Sequence, residues 1–118
     1  SIFFTPGRVE NIILDKSFLE IIIKAKQITR TWDGEFYFVY IPTYERFINN
    51  SKNFDYLHKK IELINFLKKN NIRYLDLYEE LLKDYNEILS LYPFGIKGHF
   101  NEKGYDLISE KMIKFIEK

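Results

Sequence analysis

Apolar residues recur with a helical period in three stretches of the chain, and two short stretches between them are continuously apolar. The first helical stretch runs from Ser17 to about Thr31, where Ser17 and Glu20 fit a capping box. Leu19 and Ile23 widen its apolar face, so we expect this helix to be well buried. The residues that define the face are Phe18, Ile21, Ile22, Ala25 and Ile28.

Two further helices are predicted nearer the C-terminus. The second spans about 54–69 and ends at Asn70-Asn71, and the last starts near Asn101, whose side chain we expect to cap it. Between them, 78–89 predicts a shorter helix or a helical turn. The apolar stripes are Leu57, Ile61, Ile64 and Leu67 in the second helix, and Tyr105, Ile108, Met112 and Phe115 in the last.

The continuously apolar stretches, Phe36–Ile41 and Ile72–Leu77, are predicted to be strands. Continuous apolarity is typical of strands covered on both faces, as in a parallel sheet. The aromatic residues of the first strand are therefore expected in the core rather than in a stacking platform for sugars or bases. Residues 1–14 contain the apolar run Ile2–Phe4, but their pattern does not define an element.

Strands that alternate with helices predict an α/β domain with right-handed crossovers. We treat residues 1–118 as part of one such domain. Two strands are too few for a doubly wound sheet, so we expect further strands upstream or in a partner chain.

Composition excludes several classes of function. The 18 basic and 17 acidic residues nearly cancel and form no long basic tract, so no nucleic acid partner is expected. There is no cysteine, so a thiol nucleophile and disulfides are excluded, and two distant histidines give no support for a metal or cofactor site. No apolar stretch approaches the roughly 20 residues of a membrane span, so no membrane contact is expected, and the compartment stays undetermined.

One segment could carry chemistry. His99 lies in a loop with Pro93, Gly95 and Gly98, after the last predicted strand and before the last helix. Sites in open α/β sheets form in such loops, beyond the carboxyl ends of the strands, and histidine is the commonest general base. The alternative is a surface or helix-capping histidine without a chemical role.

The segment GHFNEKGYDLISEKM resembles the last sequence block of the SGNH (GDSL-type) hydrolase superfamily, in which a catalytic histidine precedes a glycine, an aromatic residue and an amphipathic helix. The runs WDGEFYFVYIPTYERF and LYPFGIKGHFNEKGY are similar to the penultimate strand and the terminal loop of one bacterial branch. The resemblance covers the chain from about Phe18 onward. It implies a three-layer α/β/α, flavodoxin-like fold, of which this chain is the C-terminal part.

The resemblance implies ester hydrolysis or O-acyl transfer by a serine nucleophile, an oxyanion hole and His99 as the general base, with a small-molecule or glycan ester as substrate. The chain departs from the family in two ways. The blocks with the serine and the oxyanion donors are not matched, because Ser17, Ser51, Ser90 and Ser109 lack a strand-to-loop setting. The acid expected three residues before the histidine is replaced by Ile96. We therefore expect this chain to be inactive alone and its longer parent to be active.

Other residues are candidates with competing interpretations. Asp76, at the end of the second strand, could orient His99, but a turn cap is the stronger expectation. Tyr44 and Arg46 follow the first strand and, with Asn101, could line the site; a plain loop is the alternative for the first two. His58 is predicted on the solvated face of the second helix, beside Lys59 and Lys60.

Two alternatives to an enzyme remain open. The loss of the acid at Ile96 favours an SGNH-like module that binds or scaffolds without catalysis. A small α/β interaction domain that completes its sheet as a homodimer, through an exposed sheet edge, is the other.

Overall fold

The computed structural model describes residues 2–4, 15–48, 54–96 and 98–118. In this part of the chain, the strands of a parallel sheet alternate with helices. The elements are β1 (Ile2–Phe4), α1 (Lys16–Arg30), β2 (Phe36–Tyr40), α2 (Glu45–Ile48), α3 (Phe54–Lys69), β3 (Arg73–Asp76) and α4 (Glu102–Glu117). The predicted α/β class is confirmed.

The sheet has the strand order β1-β2-β3, and both pairs are parallel. Tyr37 lies opposite Arg73, and Ile2 lies opposite Phe36. The third strand, β1, lies in the segment whose pattern defined no element. It makes β2 the central strand, so a sheet edge open to a partner would be an outer edge of β1 or β3.

Both faces of β2 are covered, which explains its continuous apolarity. Phe36, Phe38 and Tyr40 pack against the apolar residues of α1 and α3. Val39 faces the opposite way and packs with Leu75 of β3 and with residues of α4 and the loop before it. All five side chains of β2 are buried, so the stacking-platform alternative is wrong.

The N-cap of helix α1 lies two residues before the predicted cap, and the helix buries a narrower face than predicted. Asp15 is the N-cap, and its side chain accepts a hydrogen bond from the Phe18 amide at 2.8 Å. Ile22 and Thr29 are buried, whereas Ile21 and Ile28, expected on the apolar face, are 57% and 45% exposed. The prediction is confirmed for Ile22, which is buried, and for Phe18 and Ala25, which pack against the core. It was wrong for Ile21 and Ile28, because apolar residues cover more than one side of this helix and periodicity alone does not identify the edge of the buried face.

Helix α3 has the predicted bounds, but its buried stripe runs through Leu63 and Leu67, and Ile61 is 57% exposed. The helix ends at Asn70-Asn71, as predicted, with Asn71 in the left-handed conformation at φ 55°. Nζ of Lys26 donates to the carbonyl oxygens of both asparagines at 2.7 and 3.0 Å, which ties the end of α3 to α1. The predicted side-chain positions of Leu57 and His58 lie outside the described residues, as does Ser51.

The connection from β3 to α4 is made of short turns. A π-helical turn, Tyr78–Leu82, follows β3 directly, and two 3₁₀ turns follow at Ile88–Leu91 and Pro93–Gly95. The helix predicted to reach residue 89 is therefore wrong in its second half. Ile108 of α4 is buried, while Tyr105, expected on the same face, is 54% exposed.

Candidate functional site

Three segments meet at the carboxyl ends of β2 and β3: residues 41–48, the turn Tyr78–Leu82, and the loop 91–100 that carries His99. Aromatic rings join them. The Tyr92 ring lies 5.0 Å from the ring of Tyr44 and 4.8 Å from that of Phe100, measured between centroids. Phe47 lies between Tyr92 and Tyr78, at 6.4 and 6.2 Å.

Asn101 fixes the base of the His99 loop. Its backbone amide donates to the Leu91 carbonyl at 2.7 Å, and its Nδ2 donates to the Ser90 carbonyl at 2.8 Å. Its Oδ1 accepts from the Gly104 amide at 3.0 Å, so the predicted cap of α4 is confirmed. The loop is thus closed at its base, and its flanking residues Leu91 and Phe100 are buried.

His99 is exposed within this closed loop. Its Nδ1 lies 3.0 Å from the carbonyl oxygen of Phe100. A carbonyl oxygen only accepts, so Nδ1 carries the hydrogen in this contact, and in the neutral ring Nε2 is the acceptor. An exposed ring with Nε2 as acceptor has the tautomer that a general base needs.

The Asp76 carboxylate is engaged by its own turn and by α3. Oδ1 accepts hydrogen bonds from the amides of Tyr78 and Glu79 at 3.1 and 3.2 Å. Oδ2 lies 2.9 Å from Nζ of Lys60. The expectation that Asp76 caps a turn is confirmed, and the described part of the chain shows no hydrogen bond between Asp76 and the His99 ring. A role for Asp76 in orienting His99 stays a prediction.

Lys60 is the site residue that the sequence analysis missed. Its side chain was expected on the solvated face of α3, but it is only 10% exposed. Nζ lies 4.7 Å from the centroid of the Tyr40 ring and 5.0 Å from that of Tyr78, a cation–π arrangement beside the Asp76 ion pair. The sequence contained a signal that Lys60 lies on the buried side of α3, because it precedes Leu63 and Leu67 at helical spacing.

Tyr44 and Arg46, the candidates after β2, contact different parts of the site. The Tyr44 hydroxyl donates to the Gly95 carbonyl at 3.0 Å, within the His99 loop. The Arg46 guanidinium lies 4.4 Å from the Tyr78 ring centroid and donates to the Tyr78 hydroxyl at 3.0 Å. The structure therefore groups Tyr44 and Asn101 with the loop of His99, and Arg46 with Tyr78, whose amide donates to Asp76.

Two open cavities are lined by described residues, and neither is lined by His99. One, of about 490 Å³, is formed by residues 83–90. The other, of about 610 Å³, lies between α1 and α3 and is mainly apolar, with Leu19, Ile23 and Phe66 among its lining residues. Within the described ranges, no group of three or more acidic, histidine or cysteine side chains could hold a metal ion.

Over the same ranges, no helix combines the length and apolarity that crossing a membrane requires. Comparison with protein-family models, with curated proteins and with solved structures finds no match to the chain.

Proposed function

We propose that the chain is the C-terminal part of an SGNH-type domain, with a three-layer, flavodoxin-like α/β/α fold, and that His99 is the general base of a serine ester hydrolase or O-acyltransferase. The observation that carries the proposal is the state of the His99 ring. It is exposed in a loop closed at its base beyond the carboxyl edge of a parallel sheet, with Nδ1 held by the Phe100 carbonyl.

In this mechanism Nε2 of His99 takes the proton of a serine hydroxyl as its oxygen attacks the ester carbonyl. The proton then passes to the departing alkoxide, and an acyl-serine remains. Water hydrolyses this ester, or an acceptor hydroxyl takes the acyl group, with His99 again accepting the proton. The Phe100 carbonyl supports the imidazolium in place of the acid missing at Ile96.

The nucleophile of this reaction lies outside the described residues. Ser17 and Ser109 lie in helices, and Ser90 lies in a 3₁₀ turn, so these three lack the strand-to-loop setting that a serine nucleophile has in this superfamily. The serine and the oxyanion donors come from other segments of the polypeptide or from another chain. Consistent with this, the 118 residues by themselves are expected to show no esterase activity.

The test is to replace His99 by Ala in the full-length product of the gene and to measure hydrolysis of an aryl acetate. We expect turnover to fall by about 10³-fold or more, the scale seen when a triad member is removed. The melting temperature should hardly change, because the side chain is exposed. Glu117→Ala, an exposed change at the far end of α4, is the matched control. Turnover that survives in His99→Ala contradicts the proposal.

A second candidate is a binding or scaffolding module of the same fold without catalysis. Two observations favour it: Ile96, at the position of the usual acid, is 68% exposed, and the described contacts of Asp76 go to its turn and to Lys60. For this candidate the unaltered full-length protein shows no turnover although it is folded.

A further inference from the structure

The conformation of the His99 loop requires an external support. Phe94 and Gly95 are both left-handed, with φ 56° and 71°. This region of backbone is unfavourable for a residue with a Cβ atom, and a bulky side chain makes it a marked outlier. The Phe94 ring is 92% exposed, so its packing does not hold the backbone in place.

The hydrogen bonds inside the loop are local. The Gly95 amide donates to Tyr92, and the Ile96 amide donates to Pro93. These contacts close two tight turns, but they leave the direction in which the middle of the loop points, relative to the sheet, unspecified.

Tyr44 supplies the missing connection. Its hydroxyl donates to the carbonyl of Gly95, 51 residues away in sequence, and its ring packs edge-on against Tyr92. Tyr44 follows the central strand, and its two contacts connect that segment to the middle of the loop and to its start. Among the described residues, this is the hydrogen bond that joins the left-handed pair to the rest of the fold.

We propose that Tyr44 is a positioning residue: its hydroxyl, through the Gly95 carbonyl, sets the conformation of the loop 91–100 and hence the direction of the His99 ring. The consequence for catalysis rests on the proposed function of His99. The structural relationship holds independently of that function and can be tested on the chain itself.

The test is hydrogen exchange of the Gly95 and Ile96 amides in Tyr44→Phe, which removes the hydroxyl and keeps the ring. Loss of one ordinary hydrogen bond should speed exchange of these amides about fivefold relative to the amides of α3. Tyr74→Phe is the matched control, because Tyr74 is half-buried and packs against the core on the α1 and α3 side of the sheet. Exchange that is unchanged, or that accelerates equally throughout the chain, overturns the proposal.

Kinetics of the full-length protein separate this proposal from the function itself. If His99 is the base, Tyr44→Phe should lower kcat and leave KM nearly unchanged, because a misdirected base affects the reacting step rather than substrate binding. Tyr74→Phe should change neither. Turnover retained in His99→Ala removes the proposed function, while the exchange result still decides whether Tyr44 sets the loop.

Discussion

Nζ of Lys60 lies 2.9 Å from Oδ2 of Asp76, and the two side chains are only 10% and 11% exposed. This pair joins α3 to the end of β3 beneath the candidate site. Among the described residues, removal of Lys60 leaves the buried Asp76 carboxylate with only the two turn amides as partners, and removal of Asp76 leaves Lys60 with only the Glu79 carboxylate, at 4.0 Å, as an ion-pair partner. Removal of both charges avoids either cost.

Lys60→Met should therefore lower the free energy of unfolding by about 3–5 kcal/mol, the range for breaking a buried ion pair. The measurement is chemical denaturation at neutral pH. Adding Asp76→Asn should recover part of the loss, because the amide keeps an oxygen for the turn while the charge disappears. Lys16→Met, which removes an exposed pair with Glu20, is the control and should change stability little. A Lys60→Met protein as stable as this control would contradict the buried pair.

Asp15→Ala should destabilise the protein by about 1 kcal/mol, because the amide of Phe18 loses its capping acceptor. Ser17→Ala is the matched variant at the residue whose sequence pattern predicted the cap. Ser17 is exposed, and its replacement should leave the thermal midpoint nearly unchanged. If Ser17→Ala destabilised the protein more than Asp15→Ala, the predicted capping box of Ser17 and Glu20 would be the better assignment.

Gly104→Ala should destabilise α4 although alanine favours helices. A Cβ atom at this position would lie 2.8 Å from the Leu91 carbonyl oxygen and 2.8 Å from Cδ1 of Phe100. We expect a loss of about 1–3 kcal/mol, the range for overpacking. At Gly98 a Cβ atom meets nothing within 4 Å, so Gly98→Ala should be tolerated. Equal melting temperatures for the two variants would contradict the close approach of α4 to the loop.

Acid should weaken the fold partly through Glu79. The hydrogen bond that Lys83 donates at 2.8 Å is the main cause that lowers the pKa of this carboxyl below its usual 4.5, and the charges of Lys83, Lys60 and Arg46 lower it further against the opposing effect of burial. A carboxyl whose pKa is lower in the folded state than in the unfolded state stabilises the fold at any pH above its unfolded-state pKa. This contribution disappears as the pH falls through the folded-state pKa.

Glu79→Gln should therefore flatten the loss of stability on acidification below pH 4.5, measured as denaturation midpoints over a pH series. The effect should be small, because the side chain is 51% exposed and solvent screens it. Lys83→Met should give the same flattening, since it removes the donor. A pH profile identical to that of the unaltered protein in both variants would contradict the assignment.

The sequence correctly predicted those features that depend only on residues close together in the chain. The run Phe36–Ile41 and the stop at Asn70-Asn71 each depend on neighbouring residues, and β2 and the end of α3 lie where these signals place them. The cap at Asn101 needs a single side chain and an amide three residues away, and it too was predicted correctly.

Relationships between distant segments were not predictable in the same way. No local pattern indicates that Lys60 reaches Asp76, or that the Tyr44 hydroxyl reaches Gly95. Each depends on how a helix or loop packs on the sheet. The sequence therefore located the His99 loop, whereas the contacts that hold that loop and the strand ends beneath it required the structure.

The hydrogen bond between the Leu91 carbonyl and the Asn101 amide has an evolutionary consequence. It brings the two ends of the loop together, and the buried rings of Tyr92 and Phe100 hold those ends in the core. Substitutions, or even changes of length, between Pro93 and Gly98 can reshape what surrounds His99 without moving the sheet or α4. A loop of this kind can change in sequence between its fixed ends while the sheet and α4 keep their packing.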